Sequence, residues 1–283
     1  MIEPESRFLE SARIRIHYNF WGDESKPPLV LVHGGRDHSR NWDFVAQQLM
    51  DDYAVYAPDL RGHGDSDWTK GPAYQLSHHV ADLDKLVHTV SEGGTVKMIA
   101  HSMGGRIATD YACAFPEKVE KLVSIEGFGR PASTLPPAGR LREFVEQIRS
   151  TEVFHPHVLP DIETCEKRMY EANKRLSPMM VKHLTKHAVR QVEGGYVWKF
   201  DYYHRIRSTP DWSMQSFRDM WSQLKTPYLL VGGSESEFAK NNADLVELFG
   251  LNEVIVQNAG HWVHHDQLDE FIRLVREFFA EAP

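Results

Sequence analysis

Ala100-His101-Ser102-Met103-Gly104-Gly105 follows the β-rich run Val96 to Ala100 and opens a stretch, Gly105 to Phe115, that reads as a helix stopped by Pro116. A strand that turns abruptly into a helix exposes the residue at the bend. Glycines beyond the bend let the helix pack close to the strand. A serine there projects its hydroxyl, and the helix N-terminus points backbone N–H groups at any negative charge developing beside it. An ordinary strand–helix turn would look the same over these six residues, so the decision rests on the rest of the chain.

Outward from that turn, short β-rich runs alternate with helical stretches. Leu29 to His33, Tyr53 to Ala57, Leu122 to Ile125, Tyr228 to Val231 and Val254 to Val256 read as further strands, and Val80 to Val90 and Phe271 to Ala280 as helices with one apolar face. The alternation predicts an α/β fold, a mostly parallel β-sheet with helices on both faces. From about Arg130 to Asp211 the rhythm breaks. This segment opens on a Pro-rich stretch, Pro131 to Pro137, and continues as helices such as Leu141 to Arg149 and Ile162 to Arg175. It holds 14 Lys/Arg against 10 Asp/Glu, a balance of +4 where the remainder carries −12. Long insertions in α/β domains are usually functional. The expected organisation is a core of 1–129 and 223–283 with a mainly helical lid or cap insertion over 130–222. Its aromatics and methionines, among them Trp198, Tyr202, Tyr203, Trp212, Met169 and Met179-Met180, suit either an apolar pocket or the lid's own core.

These motifs together resemble the α/β-hydrolase fold family in its serine-nucleophile, esterase- or lactonase-like branch. The turn at Ser102 resembles the family's G-x-S-x-G nucleophile elbow, with Ala100 in place of the first glycine; alanine is small enough for the same close approach. His33-Gly34-Gly35 resembles the loop that supplies part of the oxyanion hole. Asp59-Leu60-Arg61-Gly62-His63-Gly64-Asp65-Ser66 resembles a structural turn of the family, with His63 expected either at the surface or in support behind the site. Asn258-Ala259-Gly260-His261-Trp262 resembles its base-bearing loop. The resemblance implies Ser102 as nucleophile, His261 as base, and an oxyanion hole from the N–H groups of Gly35 and Met103, with Arg36 the alternative to Gly35. In most relatives the orienting acid is an Asp after the strand that here is Tyr228 to Val231, but Ser236 holds that position. Some branches carry the acid one strand earlier, where Glu126 stands here, and Glu126 is preferred over Glu235 and Glu237. The implied function is hydrolysis of a small or medium carboxylic ester or lactone through an acyl-enzyme. The alternatives are a C–C bond hydrolase of a ring-cleavage product and a non-catalytic ligand receptor. An aspartate-nucleophile dehalogenase or epoxide hydrolase is disfavoured by Ser102.

Composition bounds the rest. With 283 residues, 41% apolar and 25% charged, the chain can close a sizeable core. A net charge of −8 argues against a general binder of nucleic acid or anionic membrane. No apolar run approaches bilayer length, and Met1 to Glu10 contains three glutamates and no apolar stretch, so a cytoplasmic protein without secretory signal is expected. Cys113 and Cys165 are too few for a disulfide scaffold or thiolate zinc site and read as small buried residues. Among the 16 histidines, His264 and His265 are expected partly exposed. His78-His79 and His155-x-His157 lack a companion metal motif. No cofactor or metal is expected, and the expected partner is a small-molecule ester or lactone. Oligomeric state is not legible.

Overall fold

Val30 and Val32 enter one apolar core and Leu29 and Leu31 another, and all four are fully buried. Successive side chains of a strand point to opposite faces, so a run apolar at every position belongs in a sheet covered on both sides. The computed structural model describes residues 1–127, 135–154, 156–206 and 214–281. In it the chain opens with β1 (Glu5–Ser11) and β2 (Ile14–Trp21), then β3 (Pro28–Val32), α1 (Asp43–Leu49), β4 (Ala54–Pro58), α2 (Leu76–Ser91), β5 (Val96–His101), α3 (Met103–Ala114) and β6 (Val119–Ile125). After an insertion comes the second half of the sheet. The insertion holds α4 (Pro137–Glu152), α5 (Ile162–Ala172), α6 (Pro178–Ala188) and the antiparallel hairpin of β7 (Val189–Val192) with β8 (Gly195–Trp198). The chain then continues through α7 (Met214–Trp221), β9 (Tyr228–Gly233), α8 (Glu237–Phe249), β10 (Asn252–Val256), α9 (Val263–Asp266) and α10 (Leu268–Ala280).

The eight-stranded sheet runs β1-β2-β4-β3-β5-β6-β9-β10. From β4 to β10 every pairing is parallel, which makes the mostly parallel α/β architecture expected from the alternation. The antiparallel β1–β2 pair at the edge was not read from the sequence. Its strands are short on apolar runs because β1 is an edge strand with much of its length exposed. Tyr111, Ile107 and Leu86 cover one face of the sheet, and Phe271, Val275 and Val45 the other.

The insertion has a small core of its own from Met169, Leu176, Val181, Leu184 and Ala188. Phe217 and Trp221 of α7 belong to the main core, where the Trp221 indole N–H donates to Asp110 Oδ1 at 3.1 Å. Most of the Pro131–Pro137 stretch, together with His155 and Trp212, lies outside the described residues. Among the described residues no helix is long and apolar enough to cross a membrane.

Candidate active site

The elbow is built by strand ends that converge on one edge of the sheet. Ser102 sits between β5 and α3 at φ 52°, ψ −120°, a region that non-glycine residues rarely occupy. Its N–H donates to Ile125 O at 2.9 Å, which ties the bend to β6. The two following glycines have no room for a side chain. A Cβ on Gly104 would lie 2.4 Å from His33 O, and one on Gly105 would lie 2.4 Å from Gly127 Cα. Helix α3 therefore approaches β3 and the end of β6 only because those positions are glycine. Ala100, the departure from the family pattern, is fully buried in the core.

His33 is buried and structural. Its Nε2 accepts the Leu60 N–H at 2.9 Å, pinning the loop after β3 to the loop after β4. A Cβ on Gly34 would lie 3.2 Å from Ser102 Cβ, so this loop passes directly over the elbow. Gly35, Arg36 and Met103 line the same cavity as Ser102. Met103 opens α3, and the first N–H groups of a helix have no partner within it.

Glu126 follows β6 with φ 46°, a second strained non-glycine residue. Its carboxylate is fully buried and satisfied. Oε1 accepts Gly233 N–H at 2.9 Å, and Oε2 accepts the Ser236 hydroxyl at 2.7 Å and His261 Nδ1 at 2.5 Å. Ser236, the residue standing where most relatives carry the acid, thus lends a hydroxyl to a carboxylate from the neighbouring strand. Glu235 points elsewhere: it is exposed and ion-paired with Arg175 of the insertion. Glu237 is exposed at the start of α8.

The His261 side chain is 46% exposed where that of Glu126 is 0% exposed, so the ring bridges a dry carboxylate and an open cavity. The loop that carries it is tightly braced. Gly260 N–H donates to Asp266 Oδ2 at 2.8 Å, and a Cβ on Gly233 would lie 2.3 Å from Gly260 O. His101 adds a brace that sequence adjacency concealed. Rather than diverging uselessly from the elbow, its buried ring places Nε2 3.0 Å from His261 O. Burial, reinforced by the nearby His261, holds His101 well below the ordinary histidine range, so it is neutral.

Other histidines correct the expectations drawn from the chain. Of the two positions expected for His63, the structure takes the buried one, with Nδ1 3.0 Å from Arg61 O and the ring 5.4 Å from that of His33. His264 and His265 are buried rather than partly exposed, both with Nε2 on Asn41 Oδ1, at 2.8 and 3.0 Å. The loop Asp59 to Ser66 braces as expected: Arg61 pairs with buried Asp82, and Asp59 Oδ1 accepts the Ser39 N–H. Away from Ser102, Asp43, His183 and His187 bring one donor atom each within 4.8 Å of one another. The Asp43 carboxylate there is already held by Arg40 Nε.

The cavity measures about 590 Å³ and is open to solvent at one side. Ser102, His261 and Met103 form its floor; Met169, Trp198 and Phe200 come from the insertion or just beyond it. Trp198 and Met169 also pack in the insertion's own core, so both readings of these aromatics and methionines hold in part.

Comparison with known proteins agrees with this architecture. The sequence matches the alpha/beta hydrolase fold family over residues 27–268. It is 28% identical to the sn-1-specific diacylglycerol lipase ABHD11 of Xenopus laevis over 90% of this chain and 80% of that protein. It is 26% identical to epoxide hydrolase 4 of Mus musculus over 96% of this chain and 78% of that one. The thioesterase domain from the curacin biosynthetic pathway superposes with a TM-score of 0.89 at 24% identity, over 97% of this chain and 100% of that domain. With the elbow, the mostly parallel sheet and a family match spanning most of its length, the chain belongs to the alpha/beta hydrolase fold family and is an enzyme of the hydrolase class.

Proposed function

We propose that the chain is a serine hydrolase cleaving a small or medium carboxylic ester or lactone through an acyl-enzyme. Ser102 Oγ attacks the carbonyl carbon while His261 takes its proton. Glu126 keeps the His261 proton on Nδ1, leaving the other ring nitrogen to act as base, and stabilises the imidazolium that forms. The N–H groups of Gly35 and Met103 donate to the oxyanion. His261 then protonates the leaving alcohol, and the acyl group stays on Ser102. Water, deprotonated by the same imidazole, attacks the acyl-enzyme, releases the carboxylic acid and returns Ser102 to its starting state. The insertion, the expected 130–222 less α7, which packs in the main core, acts as a lid that shapes what reaches Ser102. The reading carries with it a cytoplasmic setting, in which the buried thiols of Cys113 and Cys165 stay unpaired.

The observation that carries this reading is the 2.5 Å link from His261 Nδ1 to a carboxylate with no solvent exposure. Burying a carboxylate costs several kcal/mol unless donors surround it. Glu126 has three, and one is the only one of them that can take up a proton during turnover. The names of the frog lipase and the thioesterase domain lean the same way, towards acyl transfer. The mouse epoxide hydrolase does not: opening an epoxide with Ser102 would leave an ether that water could not cleave as it cleaves an ester.

Labelling with a fluorophosphonate probe, mapped by peptide mass spectrometry, tests the assignment. Modification is expected on Ser102 and is lost in Ser102→Ala; labelling elsewhere or none refutes it. A panel of p-nitrophenyl esters, lactones and dienone acids identifies the bond. Turnover of dienone acids without esters would replace the ester reading with C–C hydrolysis.

A further inference from the structure

The hydrolytic step leaves three arginines of the cavity unused. Arg36 follows the glycine loop at φ 64°, Arg168 sits on α5, and Arg205 lies beyond the β7–β8 hairpin. All three line the cavity that holds Ser102 and His261, and all three are exposed. Other cations of the inserted segment that lean on the core have partners: Arg175 pairs with Glu235, Lys199 with Asp65, and Arg190 lies over the Trp68 ring. The cavity arginines form no ion pair among the described residues. Arg205 Cζ lies over the Tyr202 ring, 5.2 Å from its centroid.

The cavity offers these cations no compensating acid. Asp37 is the one acidic residue among those that line it. Its oxygens already accept His38 N–H at 2.9 Å and Asn41 Nδ2 at 2.7 Å, and burial pushes its carboxyl up to about 7. Three cations lining one concavity, with a single acid among the lining residues, give it a positive potential. The same cavity is lined by apolar Met169, Ala172, Ala188, Trp198 and Phe200.

Taking Ser102 as the reacting end, and so resting on the reading above, we infer that the substrate carries an anionic group, a carboxylate or phosphate, apart from its scissile carbonyl, and that Arg36, Arg168 and Arg205 bind it. Guanidinium groups suit this role because their planar donor pairs match carboxylate and phosphate oxygens.

Two esters that share a three-methylene-length acyl chain, one of them ending in a carboxylate, make the test: p-nitrophenyl butyrate and mono-p-nitrophenyl glutarate. The anionic ester is expected to have a kcat/KM higher by roughly tenfold, the gain falling as salt rises. Arg168→Gln and Arg205→Gln should each reduce the ratio of the two values, chiefly through KM of the anionic ester. Equal rates for the two esters, or a ratio that neither substitution changes, overturns the inference. If neither ester is turned over, the hydrolase reading fails on its own, and calorimetry still decides this one. Glutarate and butyl phosphate are titrated into the intact protein beside neutral dimethyl glutarate. Saturable binding of an anion, weakened in Arg168→Gln and Arg205→Gln, supports it, and the tighter of the two anions identifies the group. Binding of neither, or equal binding of the neutral diester, refutes it.

Discussion

Glu126 beneath the cavity has both carboxylate oxygens engaged and no solvent exposure, while Arg168 and Arg205 on the cavity's outer wall are exposed and form no ion pair among the described residues. The floor is over-determined. Two non-glycine residues at positive φ, Ser102 and Glu126, are held there by strand pairing and by glycines that admit no side chain. The insertion is closed by its own small core and joins the rest of the chain through pairs such as Arg175 to Glu235, Asn173 to Asp266 and Lys199 to Asp65. The contrast separates two tasks. A reaction needs atoms held to within a fraction of an ångström, whereas selection among substrates needs a wall whose shape and charge can differ without disturbing the floor.

The largest effect should come from the floor. Ser102→Ala is expected to lower kcat by at least about 10⁴-fold in a p-nitrophenyl ester assay while the melting temperature barely moves. Retained turnover would mean the elbow is only a turn. Glu126→Gln keeps the shape but removes the charge, and should lower kcat by up to about 10⁴-fold. Glu235→Gln should change it by less than about tenfold, because that carboxylate faces Arg175. The opposite order would move the acid to the loop after β9.

Ser236→Ala probes the join between the two strand ends. It removes one of three donors to Glu126, a loss of about 1–2 kcal/mol, or roughly five- to thirtyfold in kcat if that hydrogen bond strengthens the imidazolium pair. Trp198→Ala, on the outer wall, should shift the preferred acyl length across a chain-length series while changing kcat on the best substrate only a few-fold. If Trp198→Ala matched Glu126→Gln in effect, the division between floor and wall would not stand.

Acid should destabilise the fold. Burial holds His38, His79 and His265 at about 3, so the folded chain refuses protons there that the unfolded chain accepts below about 6.5. Between those limits the unfolded state binds more protons, so stability rises with pH and is lost as pH falls from about 6.5 towards 3. Each such histidine contributes up to about 1.4 kcal/mol per pH unit in that window. Thermal melts at pH 7.5 and 5.5 should show a clear drop in melting temperature at the lower pH. A flat profile would place those rings in contact with solvent.

Pattern alone was enough for the parallel strands, since a run such as Leu29 to Val32 that is apolar on both faces can be satisfied only inside a covered sheet. The elbow, the glycine loop and the His261 loop were legible for a related reason: each depends on local backbone geometry that few residue types can adopt. The sequence leaves Glu126, Glu235 and Glu237 as candidates for the carboxylate beside His261, because the strand-end side chains of Glu126 and His261, 135 positions apart, meet only in the folded sheet. The edge hairpin of β1 and β2, the burial of His63, His264 and His265, and the His101 brace on His261 were hidden for the same cause. Local sequence determines what a residue can do with its own backbone and its nearest neighbours. Which charges end up dry, and which distant groups satisfy them, is set by tertiary packing, because a polar group's burial depends on everything laid over it.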